Sequence, residues 1–165
     1  PVSVICTAVS DVPNSSAIRG IAGVARSKKA IERLKSLATA ELVDGTPLMK
    51  TDEFSRKVAE VEIDLSALEV TELRTLAAES KGRGPGPEAS ILKIKGTEIH
   101  QRIAELRLEI AGYEAFNWQG DLSDNETTLL TAASSQYNFS RAATIYGGSN
   151  EVQYGVIAKA VLGLR

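Results

Sequence analysis

Metal chemistry has almost nothing to work with in this chain. It holds one histidine and one cysteine, too few for zinc-type ligand spacing. The lone Cys6 cannot close an internal disulfide, which fits a reducing compartment, and a cytoplasmic setting is the expectation. A Ser-His-Asp arrangement would rest on His100 alone. That residue adjoins Ile99 on an apolar helical seam and reads as a half-buried or surface histidine. Charge of one sign is missing too. Nineteen Lys and Arg face 21 Asp and Glu for a net charge of -2, which removes the electrostatic case for nucleic acid or an anionic membrane. No apolar run nears the roughly 18 residues of a membrane-spanning helix. The opening PVSVICTAVS lacks the basic start of a signal peptide and an initiator Met, so a processed, truncated or excised chain is expected. Aromatics are only 5% of residues, and Tyr137, Phe139, Tyr146 and Tyr154 are few enough for all to sit in a core.

What remains is helical text. Residues 1–13 are rich in Val, Ile and Thr and are expected to be a tail, because a lone strand without a partner is poorly stable. Asn14, Ser15 and Ser16 are good N-cap types. Beyond them Ile21, Val24, Ile31, Leu34 and Ala38 share one face to about Leu42, interrupted by Lys28 and Lys29. Asp44-Gly45-Thr46-Pro47 is turn chemistry. Thr51 can cap a second helix whose first turn carries Asp52 and Glu53, where the helix dipole favours negative charge. Phe54, Val58, Val61, Leu65 and Leu68 form its seam, expected to continue through Leu73 and Leu76 to about Glu79.

Lys81-Gly82-Arg83-Gly84-Pro85-Gly86-Pro87 cannot continue a helix. It reads as a plain interhelix loop; a phosphate loop would need a preceding strand and a following Lys-Ser/Thr. Pro87 suits the first turn of a third helix, with Leu92, Gly96, Ile99, Ile103, Leu106 and Ile110 in its seam. Gly96 there predicts close approach of another backbone. Residues 116–125 look like loop, Glu126 to Tyr146 like one or two shorter helices, and Ser149 caps a last helix ended by Gly163. The expected fold is all-α: an up-and-down bundle of three long helices plus short C-terminal ones, one domain over residues 14–165.

Glu60, Glu62, Asp64, Glu69 and Glu72 fall opposite the second seam and read as solvated face. Gly147-Gly148-Ser149 is the segment with most to say. A helix N-terminus offers unpaired N–H groups and partial positive charge, and glycines ahead of it let a ligand approach the backbone. That makes a seat for a nucleotide or a carbonyl oxygen, although the same residues also make an ordinary helix–helix turn. Glu151 would oppose a phosphate yet accept hydrogen bonds from a ribose hydroxyl or an adenine amino group.

Arg141-Ala142-Ala143-Thr144-Ile145-Tyr146-Gly147-Gly148-Ser149-Asn150-Glu151-Val152-Gln153, followed by Ile157-Ala158-Lys159 and Val161-Leu162-Gly163-Leu164, resembles the C-terminal signature of acyl-CoA dehydrogenases. It is most similar to a bacterial subgroup with Gly-Gly-Ser where the common motif has Glu-Gly-Thr. Ile21-Ala22-Gly23-Val24 with Ala30-Ile31-Glu32-Arg33-Leu34 resembles the family's first C-terminal-domain helix. Residues 87–98 resemble its third long helix, and the likeness covers roughly residues 20 to 165. It implies a C-terminal helical domain without the family's N-terminal helical and middle β domains. It also implies FAD as cofactor, acyl-CoA as substrate, oxidation to trans-2-enoyl-CoA, and a homo- or hetero-oligomer in which the FAD adenosine reaches a neighbouring subunit.

By the same resemblance Gly148, Ser149 and Glu151 fall where the motif contacts substrate and FAD adenosine. Glu109 and Gly112 align with the family's Gln-x-x-Gly-Gly flavin contact, with Glu for Gln and Tyr113 for the second Gly. The arginine with Phe-Gly that often follows the first helix is replaced by Ala38-Thr39-Ala40-Glu41. The common motif puts its catalytic glutamate where Gly147 stands, and the alternative position ahead of Ile21 reads Asn14-Ser15-Ser16-Ala17-Ile18-Arg19-Gly20, with Asp11 the nearest acid. A general base must lie within hydrogen-bond reach of its proton, so no catalytic residue is assigned and the isolated chain is expected to be inactive. A base-less scaffold subunit paired with a catalytic one is the alternative.

Overall fold

The α1 helix, Val24–Ala40, turns the same face inward every three or four residues, burying Val24, Ser27, Ile31, Leu34 and Ala38. The computed structural model describes residues 23–82, 84, 86–116 and 125–164. The tail, Cys6, the proposed caps at 14–16, the Asn14–Gly20 region and the loop at 117–124 lie outside the described residues.

α1 ends where Glu41 turns extended. The turn expected at residues 44–47 is tighter than turn chemistry alone requires. Strands β1 (Leu42–Val43) and β2 (Thr46–Pro47) pair antiparallel, Leu42 with Pro47 and Val43 with Thr46. Asp44 and Gly45 both take positive φ, 51° and 76°, as a two-residue hairpin loop requires. A short 3₁₀ turn, Leu48–Lys50, leads to α2, Asp52–Glu79.

The α2 seam buries Phe54, Val58, Val61, Leu65 and Leu68 as expected, but Leu73 is 58% exposed. Continuing the alternating three and four spacing from Leu68 reaches Thr75, and Thr75 is the residue buried. Leu73 joins Ile63 and Val70 on the outer side. The carboxylates read as solvated instead tie helices together: Glu69 to Lys28 at 2.5 Å, Glu62 to Lys35 at 2.6 Å, and Glu60 and Asp64 to the fork of Arg102 at 2.9 and 2.8 Å. Their side chains remain partly solvated, so each pair stabilises by at most about 1 kcal/mol.

α3, Glu88–Ala111, is the axis of the molecule. Its seam of Leu92, Gly96, Ile99, Ile103, Leu106 and Ile110 is buried, and so are Lys93, Ile94, Thr97, Ala104 and Ala111 on its other sides. It packs against α1, against α2, against α4 (Asn125–Arg141) and against α5 (Asn150–Leu162). α4 is one helix of 17 residues, as long as α1, where one or two shorter ones were expected. Small side chains let it lie close to the far end of α3: Ala133 packs against Ala111 and Ala115, with Leu108 beside them. Gln101 Nε2 donates to Ser140 O at 3.0 Å and Arg141 pairs with Glu105 at 3.1 Å. The four aromatics from Tyr137 to Tyr154 do not enter the core. Phe139, Tyr146 and Tyr154 are exposed and Tyr137 is half-buried under the Arg141 guanidinium, 4.3 Å from its ring centre. Aliphatic residues fill most of the core, with Phe54 the one aromatic among its buried described residues.

Candidate functional site

The approach to the last helix is built from conformations that glycine tolerates. After α4, a 3₁₀ turn at Ala142–Thr144 runs into Gly147 and Gly148, at φ 69° and 95°. A Cβ on Gly148 would collide with the side-chain amide of Gln153, while one on Gly147 would meet nothing. Ser149 turns extended and its Oγ accepts from the Val152 N–H at 3.4 Å, a serine N-cap. Gln153 Nε2 donates back to Gly147 O at 3.5 Å. The hinge is held by its own chain and stays partly open to solvent.

Beneath it lies a residue to which sequence analysis assigned no role. Lys93 is buried, 8% exposed, and its Nζ donates to Asn150 Oδ1 at 3.1 Å. Burial lowers the Lys93 pKa, opposed by the Glu151 carboxylate. Hydrogen bonds from Ser149 and from its own backbone N–H, with Lys93 adding attraction, hold Glu151 below the usual carboxylate range. Glu151 is therefore an acceptor at neutral pH, suited to hydroxyl or amino hydrogens and repulsive to phosphate.

Glu109 and Gly112 are elsewhere. Glu109 is exposed near the end of α3 and pairs with Lys57 at 2.9 Å. Lys57 also holds Glu53 at 2.8 Å, and those two acceptors raise its pKa. Gly112 closes α3 at φ 50°, ψ -126°, a conformation for glycine, before the 3₁₀ turn Gly112–Phe116. From Lys93 under the hinge to Glu109 is 16 helical residues, about 24 Å along α3. The structure thus brings Gly148, Ser149 and Glu151 together and Glu109 with Gly112, and sets the two groups at opposite ends of one helix.

A family model described as acyl-CoA dehydrogenase, C-terminal domain, matches residues 14–162. The chain belongs to the acyl-CoA dehydrogenase family. It is 32% identical over 100 residues to acyl-CoA dehydrogenase IpdE1 of Mycolicibacterium smegmatis, covering 61% of this chain and 22% of that one. It is 28% identical over 151 residues to acyl-CoA dehydrogenase IpdE1 of Mycobacterium tuberculosis, covering 86% and 37%. The matched part of the chain thus spans 22% and 37% of those relatives' lengths. Three solved structures share the fold. The ChsE4-ChsE5 complex of Mycobacterium tuberculosis aligns with TM-score 0.70 at 23% identity, over 88% of this chain and 37% of that one. Butyryl-CoA dehydrogenase of Megasphaera elsdenii gives 0.70 at 19%, over 90% and 36%. The Tcur3481-Tcur3483 steroid acyl-CoA dehydrogenase gives 0.72 at 19%, over 92% and 38%.

The hinge residues fit part of the flavin cofactor this family implies. Gly148 takes a positive φ with the flexible Gln153 amide lying against it, and Glu151 is an ionised acceptor. An ionised acceptor suits the hydroxyl and amino groups of the FAD adenosine and not the FAD pyrophosphate. Among the described residues no group of three or more His, Cys, Asp or Glu could hold a metal ion, and no helix is long and apolar enough to cross a membrane.

Proposed function

We propose that this chain is the C-terminal FAD- and acyl-CoA-binding domain of a flavin-dependent acyl-CoA dehydrogenase, spanning residues 14–165, and that it lacks a catalytic base of its own. FAD, when bound, supplies the acceptor for the β-hydride. Gly148, Ser149 and Glu151 contact the substrate and the adenosine of one flavin. Glu109 and Gly112 contact a second flavin held mainly by a neighbouring chain. The single observation that carries this reading is the roughly 24 Å between the two groups along α3, a span that suits contacts to two ligands. Gly147, at the family's glutamate position, has no side chain to accept the α-proton. That acceptor must come from another chain or another domain.

Purification tests the reading directly. The isolated chain is expected to be colourless and inert toward acyl-CoA, and to gain flavin absorbance and activity only with chains supplying the middle domain. A yellow, active isolated chain would overturn it.

A second reading, a base-less assembly subunit paired with a catalytic one, is favoured by α5. That helix buries none of its residues, and it exposes Val152, Val156, Val161 and Leu162. Exposed apolar side chains distributed around a helix suit burial against a partner. Mixing with a full-length dehydrogenase of the same family and measuring complex mass distinguishes the two: a stoichiometric complex supports the second reading.

A further inference from the structure

The chain has no cations to spare, with a net charge of -2, yet it gathers several where no described carboxylate faces them. α1 and α4 leave a depression between them, floored by α3, of about 450 Å³. Arg26, Lys29 and Arg33 of α1 and Arg107 of α3 line it, with His100 beside them. No carboxylate belongs to its described lining. The neighbouring depression between α1 and α2 is a useful contrast, because Lys28 and Lys35 there are matched by Glu32 and Glu62.

Elsewhere about half of the described cations are paired, and the unpaired ones are scattered, not gathered in one space. Lys28, Lys35, Lys57, Lys95, Arg102 and Arg141 each hold a carboxylate. No ion pair between described residues involves Arg26, Lys29, Arg33 or Arg107. Arg107 donates only to the neutral amide of Gln136, and the nearby Glu105 is engaged by Arg141. The charges act on one another. Burial and then Arg33 lower the Arg107 pKa; partial desolvation and then Arg26, Arg107 and Arg141 lower that of His100. Holding like charges together without a counter-charge costs stability that a bound anion would restore.

The rest of the lining is apolar. Ile103 on the floor and Ala30 on the α1 side are apolar, and the exposed Phe139 ring belongs to the α4 side. The volume lies within the range of small-molecule sites, about 300–1,000 Å³. Guanidinium forks match phosphate oxygens bidentately, and several cations facing one space suit a dianion better than a carboxylate. We infer that the groove between α1 and α4 binds a phosphate ester carried on an apolar body, its phosphate among Arg26, Arg33 and Arg107 and its body against Ile103 and Phe139. The site uses none of the residues assigned above to flavin contact.

Octyl phosphate, octanoate, octanol and inorganic phosphate, titrated separately by calorimetry into the full chain, test the inference. One octyl phosphate per chain should bind, about tenfold or more tighter than octanoate or inorganic phosphate, with octanol silent. Replacing Arg33→Gln together with Arg107→Gln should weaken octyl phosphate by about tenfold or more, while Lys28→Gln should not. The single histidine supplies a readout that needs no variant. Saturating octyl phosphate should raise the His100 pKa, followed by proton NMR, and octanol should leave it in place. If the double substitution unfolds the chain by circular dichroism, the His100 titration decides. Failure of octyl phosphate to bind, octanoate binding equally well, undiminished binding by a folded double variant, or an unmoved His100 would each overturn the assignment. A colourless, inactive chain that still binds octyl phosphate separates this groove from the flavin reading.

Discussion

Lys93 Nζ and Asn150 Oδ1 meet at 3.1 Å across the junction of α3 and α5, between residues 57 apart in sequence. This hydrogen bond carries the hinge and the start of the last helix onto the core. α5 has no buried apolar residue of its own to do that. Lys93→Met removes the donor and also relieves burial of a charge, so the two effects oppose each other. Global stability should change by no more than about 1 kcal/mol, while amide hydrogens of α5 exchange faster. Hydrogen-exchange mass spectrometry of the two proteins checks both statements.

Ser149→Ala removes the acceptor for the Val152 N–H. Loss of an N-cap of this type costs about 0.5–2 kcal/mol of helix stability. The loss should show as fraying of α5 more than as a lower melting temperature, because α5 buries none of its residues fully. Ser149→Asp should retain the cap.

His100 makes stability depend on pH. His100 is exposed, yet partial desolvation of its ring and then Arg26, Arg107 and Arg141 set its folded pKa below the ordinary value of 6.5. Between those two pKa values the unfolded chain binds more protons, so stability rises with pH through that window. The contribution is complete above 6.5 and is lost as pH falls through the folded value. Urea unfolding across pH 5 to 8 should show a steeper acid loss in the wild type than in His100→Asn. Equal slopes would contradict the assignment.

Arg102 bridges Glu60 and Asp64 at 2.9 and 2.8 Å, joining α3 to α2. The partners are partly exposed, so Arg102→Met should cost less than about 1 kcal/mol. The difference from wild type should shrink in roughly 1 M salt, where screening acts within about 3 Å. Chemical denaturation with urea at low and high salt measures it.

Much of the architecture was legible because apolar spacing records burial. The seams of α2 and α3 are buried residue for residue through Leu68 and Ile110, and Ser149 and Gly163 bound the last helix as expected. Leu73 shows the limit of that signal: it is apolar, yet it lies five residues past Leu68, off the three-and-four spacing that leads to Thr75. The aromatics misled for a related reason. Composition alone does not say which element covers a ring, and α4 and α5 present Phe139 and Tyr154 to solvent. The hinge and its cap could be read from Gly-Gly-Ser. Lys93 could not, because a lysine one position past a seam leucine looks like ordinary surface until α5 lies over it. The basic groove was equally hidden, since its charges come from helices that meet only in three dimensions.

The placement of the two residue groups at opposite ends of α3 has a genetic consequence. Under the shared-flavin reading, a chain disabled at the hinge still offers a sound far end, and a chain disabled at Gly112 still offers a sound hinge. Two inactive alleles of this kind, expressed together, should rescue one another in part, because a mixed assembly restores a cofactor site from the undamaged half of each.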